Sequence, residues 1–442
     1  MKYLLILLLS ISIGSYSQQN KTANEDFYLT EIHQKQIIDS LSKELEEFYI
    51  RPKAIDAITK KLNENYKKGS YKSLSKPNEF ASKLSADLID VSKDLHFSVM
   101  YDPEWTASKK NNSIESQKKL KAEELAAAKK RNFGFQQARI LEGNVGYLEF
   151  NYFEDPAIAS EKAASVMQFL NNADALIIDL RKNNGGAMEM GQFLSSYFYS
   201  NKELPLYKYY YYEKNRKKVD REMWLLPSVP GKRMEDIDIY ILTSEITFSA
   251  AEWMSYSLQD LKRVTIVGEK TAGGAHPIDR KVLPNGFSVN IPFGEVKDPV
   301  TNTDFEGKGV MPDVLCKSEE AVNKSHLLAL QKLSLKNKDS LSNNLNWFIP
   351  IIKNRQKAAH IEPLILKSYE GKFGKSELKY ENDNLYYNWN NIATFLLIPL
   401  DQDLFLLNGI DDFRIKVISD KNGVTEIKRI YQNGQEKIYK KG

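Results

Sequence analysis

The chain has 442 residues, which is more than one hydrophobic core usually serves, so we expect two or three domains. Its 62 basic and 58 acidic residues leave a formal charge of +4, whereas a protein whose main task is to bind nucleic acid carries a clear basic excess. We therefore expect no nucleic-acid partner. With 42% hydrophobic and 27% charged residues, the composition is that of an ordinary globular protein.

The first residues have the pattern of a secretory signal peptide. Lys2 supplies a positive charge, residues 3–13 form a short apolar run, and Ser15 and Ser17 are small residues at the cleavage spacing. The run is too short to span a bilayer, and no cysteine directly follows it to carry a lipid anchor. We predict a signal peptide at 1–17, no stable membrane span after its removal, and a periplasmic or secreted protein.

Residues 25–132 are predicted to form an N-terminal helical domain that ends in a lysine-rich linker. Ile32, Ile37 and Leu41 are interpreted as one buried face of a helix. The polar segment at 106–132 has the charge pattern of a solvated helix.

Residues 133–318 have the hydrophobic pattern of an α/β domain. Short apolar runs alternate with helical segments, and the runs lie at 145–150, 175–180, 239–243 and 264–267. Nearly continuous apolar strands separated by helices indicate a largely parallel sheet that is covered on both faces.

The last part of the chain is predicted to contain a helical linker at 319–366 and a small antiparallel β domain at 367–442. The β prediction rests on period-two alternation and on turn signals such as Asn408-Gly409 and Asn433-Gly434.

Ser249 is the first residue that could carry chemistry. It follows a predicted buried strand and opens an amphipathic helix, where the positive helix end stabilises an alkoxide or an oxyanion. A serine at this position could equally be an ordinary helix N-cap. The residues near Ser249 do not decide between these two roles.

A second candidate feature is the Gly185-Gly186 pair, which follows another predicted strand. Consecutive glycines expose backbone N–H groups, as an oxyanion hole requires, but they also fit a tight strand-to-helix turn.

Two histidines, His96 and His276, lie at predicted loop or strand ends from which either could reach Ser249. Spacing does not choose between them.

Four motifs, in order along the chain, are similar to those of one serine peptidase family. They are D-L-R-x-N-x-G-G from Asp179, T-S-x-x-T-F-S-A-A-E from Thr243, G-E-K-T-A-G-G from Gly268 and E-G-K-G-V-x-P-D-V from Glu306. The family, also called tail-specific proteases, contains the C-terminal processing proteases, the tricorn core protease and interphotoreceptor retinoid-binding protein. The resemblance implies a crotonase/ClpP-like core, Ser249 as nucleophile, and an oxyanion hole formed by Gly185, Gly186 and Ala250.

The base differs between branches of this family. Processing proteases use a lysine 25 residues after the serine, but that position is Gly274 here. The tricorn-like branch, which this chain resembles more closely, uses an upstream histidine and a downstream glutamate that correspond to His96 and Glu306. Leu95 stands where tricorn has a serine, so the resemblance leaves both Asp94 and Glu306 as candidates for orienting His96.

Together these features lead us to expect an extracytoplasmic serine endopeptidase that acts on peptides or proteins and needs neither a metal nor an organic cofactor. Two alternatives stay open. One is a Ser–Lys peptidase with Lys270 as base, and His276 is a further candidate base or substrate contact. The other is a catalytically weak binder of apolar ligands on the same scaffold.

Overall fold

The computed structural model of the protein describes residues 27–111, 113–200, 203–212, 216–336 and 340–442. The predicted signal peptide at 1–17 lies outside these residues. Among the helices in the described ranges, none is long and apolar enough to cross a membrane.

Three helices open the described chain: α1 (Glu31–Phe48), α2 (Ile55–Lys67) and α3 (Pro77–Ser92). The Thr30 side chain caps α1, and Pro77 fits the first turn of α3, where an N–H would have no helical partner. Ile37 is fully buried as predicted, whereas Ile32 is 70% exposed. The prediction for Ile32 was wrong because five residues turn a helix by about 500°, which leaves it to one side of Ile37.

A short strand and two solvated helices follow: β1 (Ser98–Tyr101), α4 (Pro103–Lys110) and α5 (Ile114–Lys130). The lysines of α5 are exposed and Ala128 is its buried residue, as the charge pattern predicts for this segment.

The elements of the α/β region are β2 (Phe135–Leu141), β3 (Val145–Phe150), α6 (Pro156–Leu170), β4 (Ala175–Asp179), α7 (Met188–Ser195), β5 (Pro205–Tyr212), β6 (Lys218–Trp224), β7 (Asp238–Thr243), α8 (Ala250–Asp260), β8 (Val264–Gly268), β9 (Ile278–Val282), β10 (Phe287–Pro292), β11 (Gly294–Lys297) and β12 (Val314–Leu315). Six of these strands form one sheet in the order β12–β8–β7–β4–β3–β2. All neighbours in it are parallel except β2 and β3, which form an antiparallel pair. The predicted parallel sheet is confirmed.

Helices cover both faces of this sheet. On one face α6, α7 and α8 pack against strand residues such as Leu176 and Ile178. On the other face Ala175 and Ile177 contact the next two helices, α9 (Ala321–Lys336) and α10 (Ser340–Gln356), which α11 (Pro363–Ser368) follows. Because alternate residues of β4 face two apolar layers, the strand is apolar from Ala175 to Ile178 and becomes polar only at its last residue, Asp179. The helices predicted as a linker thus form one of the two covering layers.

A smaller sheet joins the N-terminal region to the α/β region. Its order is β1–β10–β9, and β1 pairs with β10 antiparallel, with Ser98 opposite Asn290. Phe97 and Val289 belong to the same buried cluster as helices α1 to α3. A third sheet, in the order β11–β5–β6, lies in the same part of the chain.

The remaining strands form an eight-stranded antiparallel sheet in chain order. They are β13 (Gly371–Phe373), β14 (Ser376–Glu381), β15 (Asn384–Trp389), β16 (Ala393–Pro399), β17 (Leu404–Leu407), β18 (Ile410–Asp420), β19 (Gly423–Tyr431) and β20 (Glu436–Lys440). A bridge between Phe373 and Lys441 nearly closes the sheet around its own apolar cluster. The predicted C-terminal antiparallel β structure is confirmed.

Candidate active site

Ser249 stands at the sharp turn between β7 and α8. Its backbone has φ 57° and ψ −122°, a conformation that residues with a side chain rarely adopt. The strain is maintained by fixed neighbours: Phe248 N–H donates to the Asn183 carbonyl at 3.0 Å, and Ser249 N–H donates to Glu252 Oε2 at 2.9 Å. The turn leaves the Ser249 hydroxyl partly exposed at the start of α8.

His96 is the histidine that reaches Ser249. Its Nε2 lies 3.2 Å from Ser249 Oγ, although 153 residues separate the two in sequence. The pairing of β1 with β10 brings His96 here, because His96 lies in the loop after α3, two residues before β1. The ring of Phe248 packs against the imidazole at a centroid distance of 4.5 Å.

A fully buried carboxylate, that of Asp94, lies between the two candidate histidines. Asp94 Oδ1 accepts the His96 backbone N–H at 3.1 Å and faces His96 Nδ1 at 3.7 Å. Asp94 Oδ2 accepts a hydrogen bond from His276 Nδ1 at 2.7 Å. His276 Nδ1 has a carboxylate on either side, so the proton of the neutral ring belongs on this nitrogen.

Glu306 reaches the cluster through His276. Its Oε1 lies 3.6 Å from His276 Nδ1, and its Oε2 accepts the Ala275 N–H at 2.6 Å. Glu306 therefore holds the loop that carries His276, while Asp94 is the carboxylate next to His96.

The two carboxylates differ in how they titrate. Burial by itself would raise the pKa of Asp94, but hydrogen bonds from His276 and His96 outweigh it and hold that pKa below its ordinary value. Burial raises the pKa of Glu306, and the nearby His276 opposes this shift only in part. Asp94 is therefore the carboxylate that stays ionised beside the base.

The same groups could be considered as metal ligands. Asp94, His276 and Glu306 each offer a ligand atom within 4.8 Å of the others, and this donor set suits zinc. The 2.7 Å separation of His276 Nδ1 and Asp94 Oδ2 is that of a direct hydrogen bond, while His276 Nε2 is buried and has no hydrogen-bond partner among the described residues.

Glu252 connects Ser249 to the loop that follows β8. Its side chain is completely buried and accepts four hydrogen bonds, from Ser249 N–H, Thr271 Oγ1–H, Gly273 N–H and Gly274 N–H. Burial raises the pKa of Glu252 to about 7, although these four donors pull it down.

Only part of the predicted oxyanion hole has free donors. Gly185 N–H already donates to Asn183 Oδ1 at 2.9 Å, whereas neither Gly186 N–H nor Ala250 N–H has an acceptor among the described residues. A side chain at Gly185 would meet Ser249 Cβ at 2.7 Å, so glycine is what allows the two segments to touch.

Gly274 occupies the position where processing proteases carry their lysine. A Cβ at 274 would lie 2.7 Å from His96 Cε1 and would also collide with the Phe248 ring. A side chain here and His96 in its present position therefore exclude each other. Lys270, the alternative base, is exposed, and the side-chain contact recorded for Ser249 Oγ is the one with His96.

Comparison with known proteins finds two matching family models. A model described as peptidase family S41 matches residues 144–316, and one described as the N-terminal domain of peptidase S41 in eukaryotic IRBP matches residues 29–133. Residues 144–316 of the chain therefore form a peptidase family S41 region. The resemblance predicted from the four motifs is confirmed.

Individual relatives of this chain are distant. It is 28% identical over 176 residues to a carboxyl-terminal-processing protease of Picosynechococcus sp., covering 40% of each chain, and 27% identical over 172 residues to one of Synechocystis sp., covering 38% of this chain and 37% of the relative. It thus spans about two fifths of the curated relatives it matches. A Parabacteroides merdae structure described as a candidate peptidase has 20% identity and a TM-score of 0.45, over 64% of this chain and 90% of that one.

Glu252 and Asn183 lie within the four motifs, but the sequence alone assigns neither residue a role. A signal for Glu252 was present, because Ser249-Ala250-Ala251-Glu252 is the S-x-x-E pattern of a capping box. For Asn183 the only local signal was its place before the glycine pair. Its side-chain amide is fully buried. The amide oxygen accepts the Gly185 N–H, and Nδ2 donates to the Phe150 carbonyl.

We predict that Glu252→Gln lowers the free energy of unfolding of this chain by about 3 kcal/mol, since an amide NH₂ would face N–H and O–H donors in a buried site. The measurement is the shift in Tm or in the denaturation midpoint. The matched control is Glu245→Gln, which changes an exposed glutamate in the turn that precedes α8 and should be nearly neutral. Equal effects of the two substitutions would contradict the role given to Glu252.

Proposed function

We propose that this chain is an extracytoplasmic serine endopeptidase that cleaves peptide bonds through an acyl-enzyme on Ser249. The observation that carries the proposal is the 3.2 Å approach of His96 Nε2 to Ser249 Oγ, with the buried Asp94 behind the imidazole. The signal-peptide pattern at 1–17 supports the location. The crotonase-like character of the core, which the family resemblance implies, is part of the same proposal.

The chemistry follows from the placement of the two side chains. Ser249 Oγ bonds to the substrate carbonyl carbon while its proton passes to His96 Nε2, and an electron pair of the C=O bond moves onto oxygen. When the adduct collapses, the C–N bond breaks and His96 gives the proton to the leaving amine. Water then attacks the ester by the same proton transfers, which releases the acid and restores Ser249.

We assign the stabilisation of the oxyanion to the N–H groups of Gly186 and Ala250. Each such donor contributes about 3 kcal/mol in hydrolases, and the N-terminus of α8 adds a favourable field. Gly185, whose N–H is already engaged, has a different role in the proposal: it lets the glycine loop approach Ser249.

Asp94 is the residue that we propose orients His96. With Nε2 facing Ser249, the ring proton of neutral His96 belongs on Nδ1, and Asp94 Oδ1 lies 3.7 Å from that atom. At this distance the two atoms are not hydrogen-bonded, and the proposal requires them to approach when the reacting complex forms, as catalytic hydrogen bonds often do. His276 acts through Asp94 by holding its other oxygen, so in this proposal it is a positioning residue and not an alternative base.

Ser249→Ala is predicted to lower kcat by a factor on the order of 10⁶ and to abolish labelling by a fluorophosphonate, because the only proposed nucleophile is gone. Peptide hydrolysis and covalent labelling are measured on the same preparation. Ser228→Ala, which alters an exposed serine, is the control and should leave both unchanged. An unlabelled wild-type chain that retains an apolar ligand would instead favour the binder hypothesis.

His96→Ala is predicted to reduce kcat at least about 10³-fold, whereas Lys270→Ala should change it less than about twofold. The reason is that His96 contacts Ser249 Oγ while Lys270 is exposed. Steady-state kinetics on one peptide decide between the two bases. The reverse ranking would replace the Ser–His proposal with a Ser–Lys mechanism.

Asp94→Asn and Glu306→Gln test which carboxylate orients the base. We expect Asp94→Asn to lower kcat by about 10³- to 10⁴-fold with little change in KM, because the ring proton of His96 loses its ionised partner. Glu306→Gln should cost much less, since Glu306 reaches the site through His276. Both variants are compared with wild type in kcat, KM and Tm. A larger kcat loss for Glu306→Gln at unchanged Tm would assign the orienting role to Glu306.

A further inference from the structure

A cleft of about 280 Å³ opens beside Ser249. It is bounded by the start of α7, by β5 and β6, and by the segment that leads from His276 into β9. Its side chains are mostly large and apolar, and they include Met188, Tyr209, Met223, Pro277, Ile278 and Phe293. None of these six has a part in the proposed bond-breaking steps.

The lining of the cleft has few groups that could compensate a buried charge. Among the described residues that line it, Glu189 is the only carboxylate, and no lysine or arginine is present. Glu189 is exposed to solvent, and the His276 Nδ1 atom is already bonded to Asp94. A carboxylate that entered the cleft would lose its water and meet no lysine or arginine, and a lysine would meet only the solvent-screened Glu189, whereas an apolar side chain would gain from the same desolvation.

The position of the cleft decides which part of a substrate reaches it. Gly186, a proposed oxyanion donor, lines the cleft together with Ser249, whereas His96 is not among its lining residues. The leaving amine must be next to His96, because His96 protonates it. The cleft therefore lies on the acyl side of Ser249, where the residue that precedes the cleaved bond is bound.

We propose that this cleft is the specificity site of the enzyme and that it selects a medium or large apolar side chain, of the leucine, methionine or phenylalanine type, on the residue before the cleaved bond. The inference rests on the proposed peptidase function. Met188 and Met223 can change shape at low cost, so the site should accept several apolar side chains at similar rates and not a single one.

The test uses two series of internally quenched peptides and the full-length protein. One series varies the residue before the cleaved bond through Leu, Met, Phe, Ala, Lys and Asp, and the other varies the residue after it. In the first series we expect kcat/KM to fall about 10- to 200-fold from Leu to Ala and at least as far for Lys and Asp. The second series should vary only a few-fold. A flat first series, or selectivity confined to the second, would overturn the inference.

Met188→Glu tests the lining itself. A carboxylate in the first turn of α7 is favourable for the helix, so the variant should fold, and it should lower kcat/KM for the Leu peptide while raising it for the Lys peptide. Met311→Glu, on a side chain that is 57% exposed and outside the cleft lining, is the control and should behave as wild type. Unchanged selectivity of a folded, fluorophosphonate-labelled Met188→Glu variant would also overturn the inference.

Failure of the two proposals can be told apart. An active, labelled enzyme without the expected preference would contradict the proposed specificity site but not the proposed peptidase function. A wild-type chain that neither labels at Ser249 nor cleaves any peptide would remove both.

Discussion

Four hydrogen bonds converge on the buried carboxylate of Glu252, and they tie together the segments that carry the chemistry. One comes from the N–H of Ser249, whose backbone is strained, and three come from the loop that ends at Gly274, next to the ring of His96. A buried carboxylate is costly unless its oxygens are satisfied, so the four donors must stay close to it. The strained turn and the loop are thereby fixed relative to each other before any substrate binds.

The proposed base, His96, comes to Ser249 from another part of the chain. His96 and Asp94 lie between α3 and β1, and the register of β1 on β10 sets their height relative to Ser249. The apolar cluster that unites α1 to α3 with β10 stabilises this pairing. The N-terminal helices are thus part of the architecture of the active site, because they hold the strand that delivers the proposed base.

Steric exclusion and electrostatics favour the same proposed base. A side chain at position 274 would overlap His96. A lysine at 274 and a histidine in the observed position of His96 therefore could not both be present. A histidine base needs a partner for Nδ1, the ring nitrogen that faces away from the serine. Asp94 provides an ionised carboxylate for it, and His276 and His96 keep the pKa of Asp94 low. His276 then satisfies the second oxygen of Asp94, which lets a fully buried charge persist in the site.

Local sequence patterns determined much of this protein. Apolar runs predicted the parallel sheet, turn signals predicted the C-terminal antiparallel sheet, and four ordered motifs predicted the family, because each depends on residues that are near one another in the chain. Ser249 was visible as a hydroxyl at a helix start, but its neighbours could not show whether it caps the helix or faces a base. The choice of His96 over His276, the separate positions of Asp94 and Glu306, and the engagement of the Gly185 N–H by Asn183 were decided by tertiary structure. These contacts mostly join segments that are far apart in sequence, so they depend on strand register and on the packing of buried side chains, which no local pattern specifies.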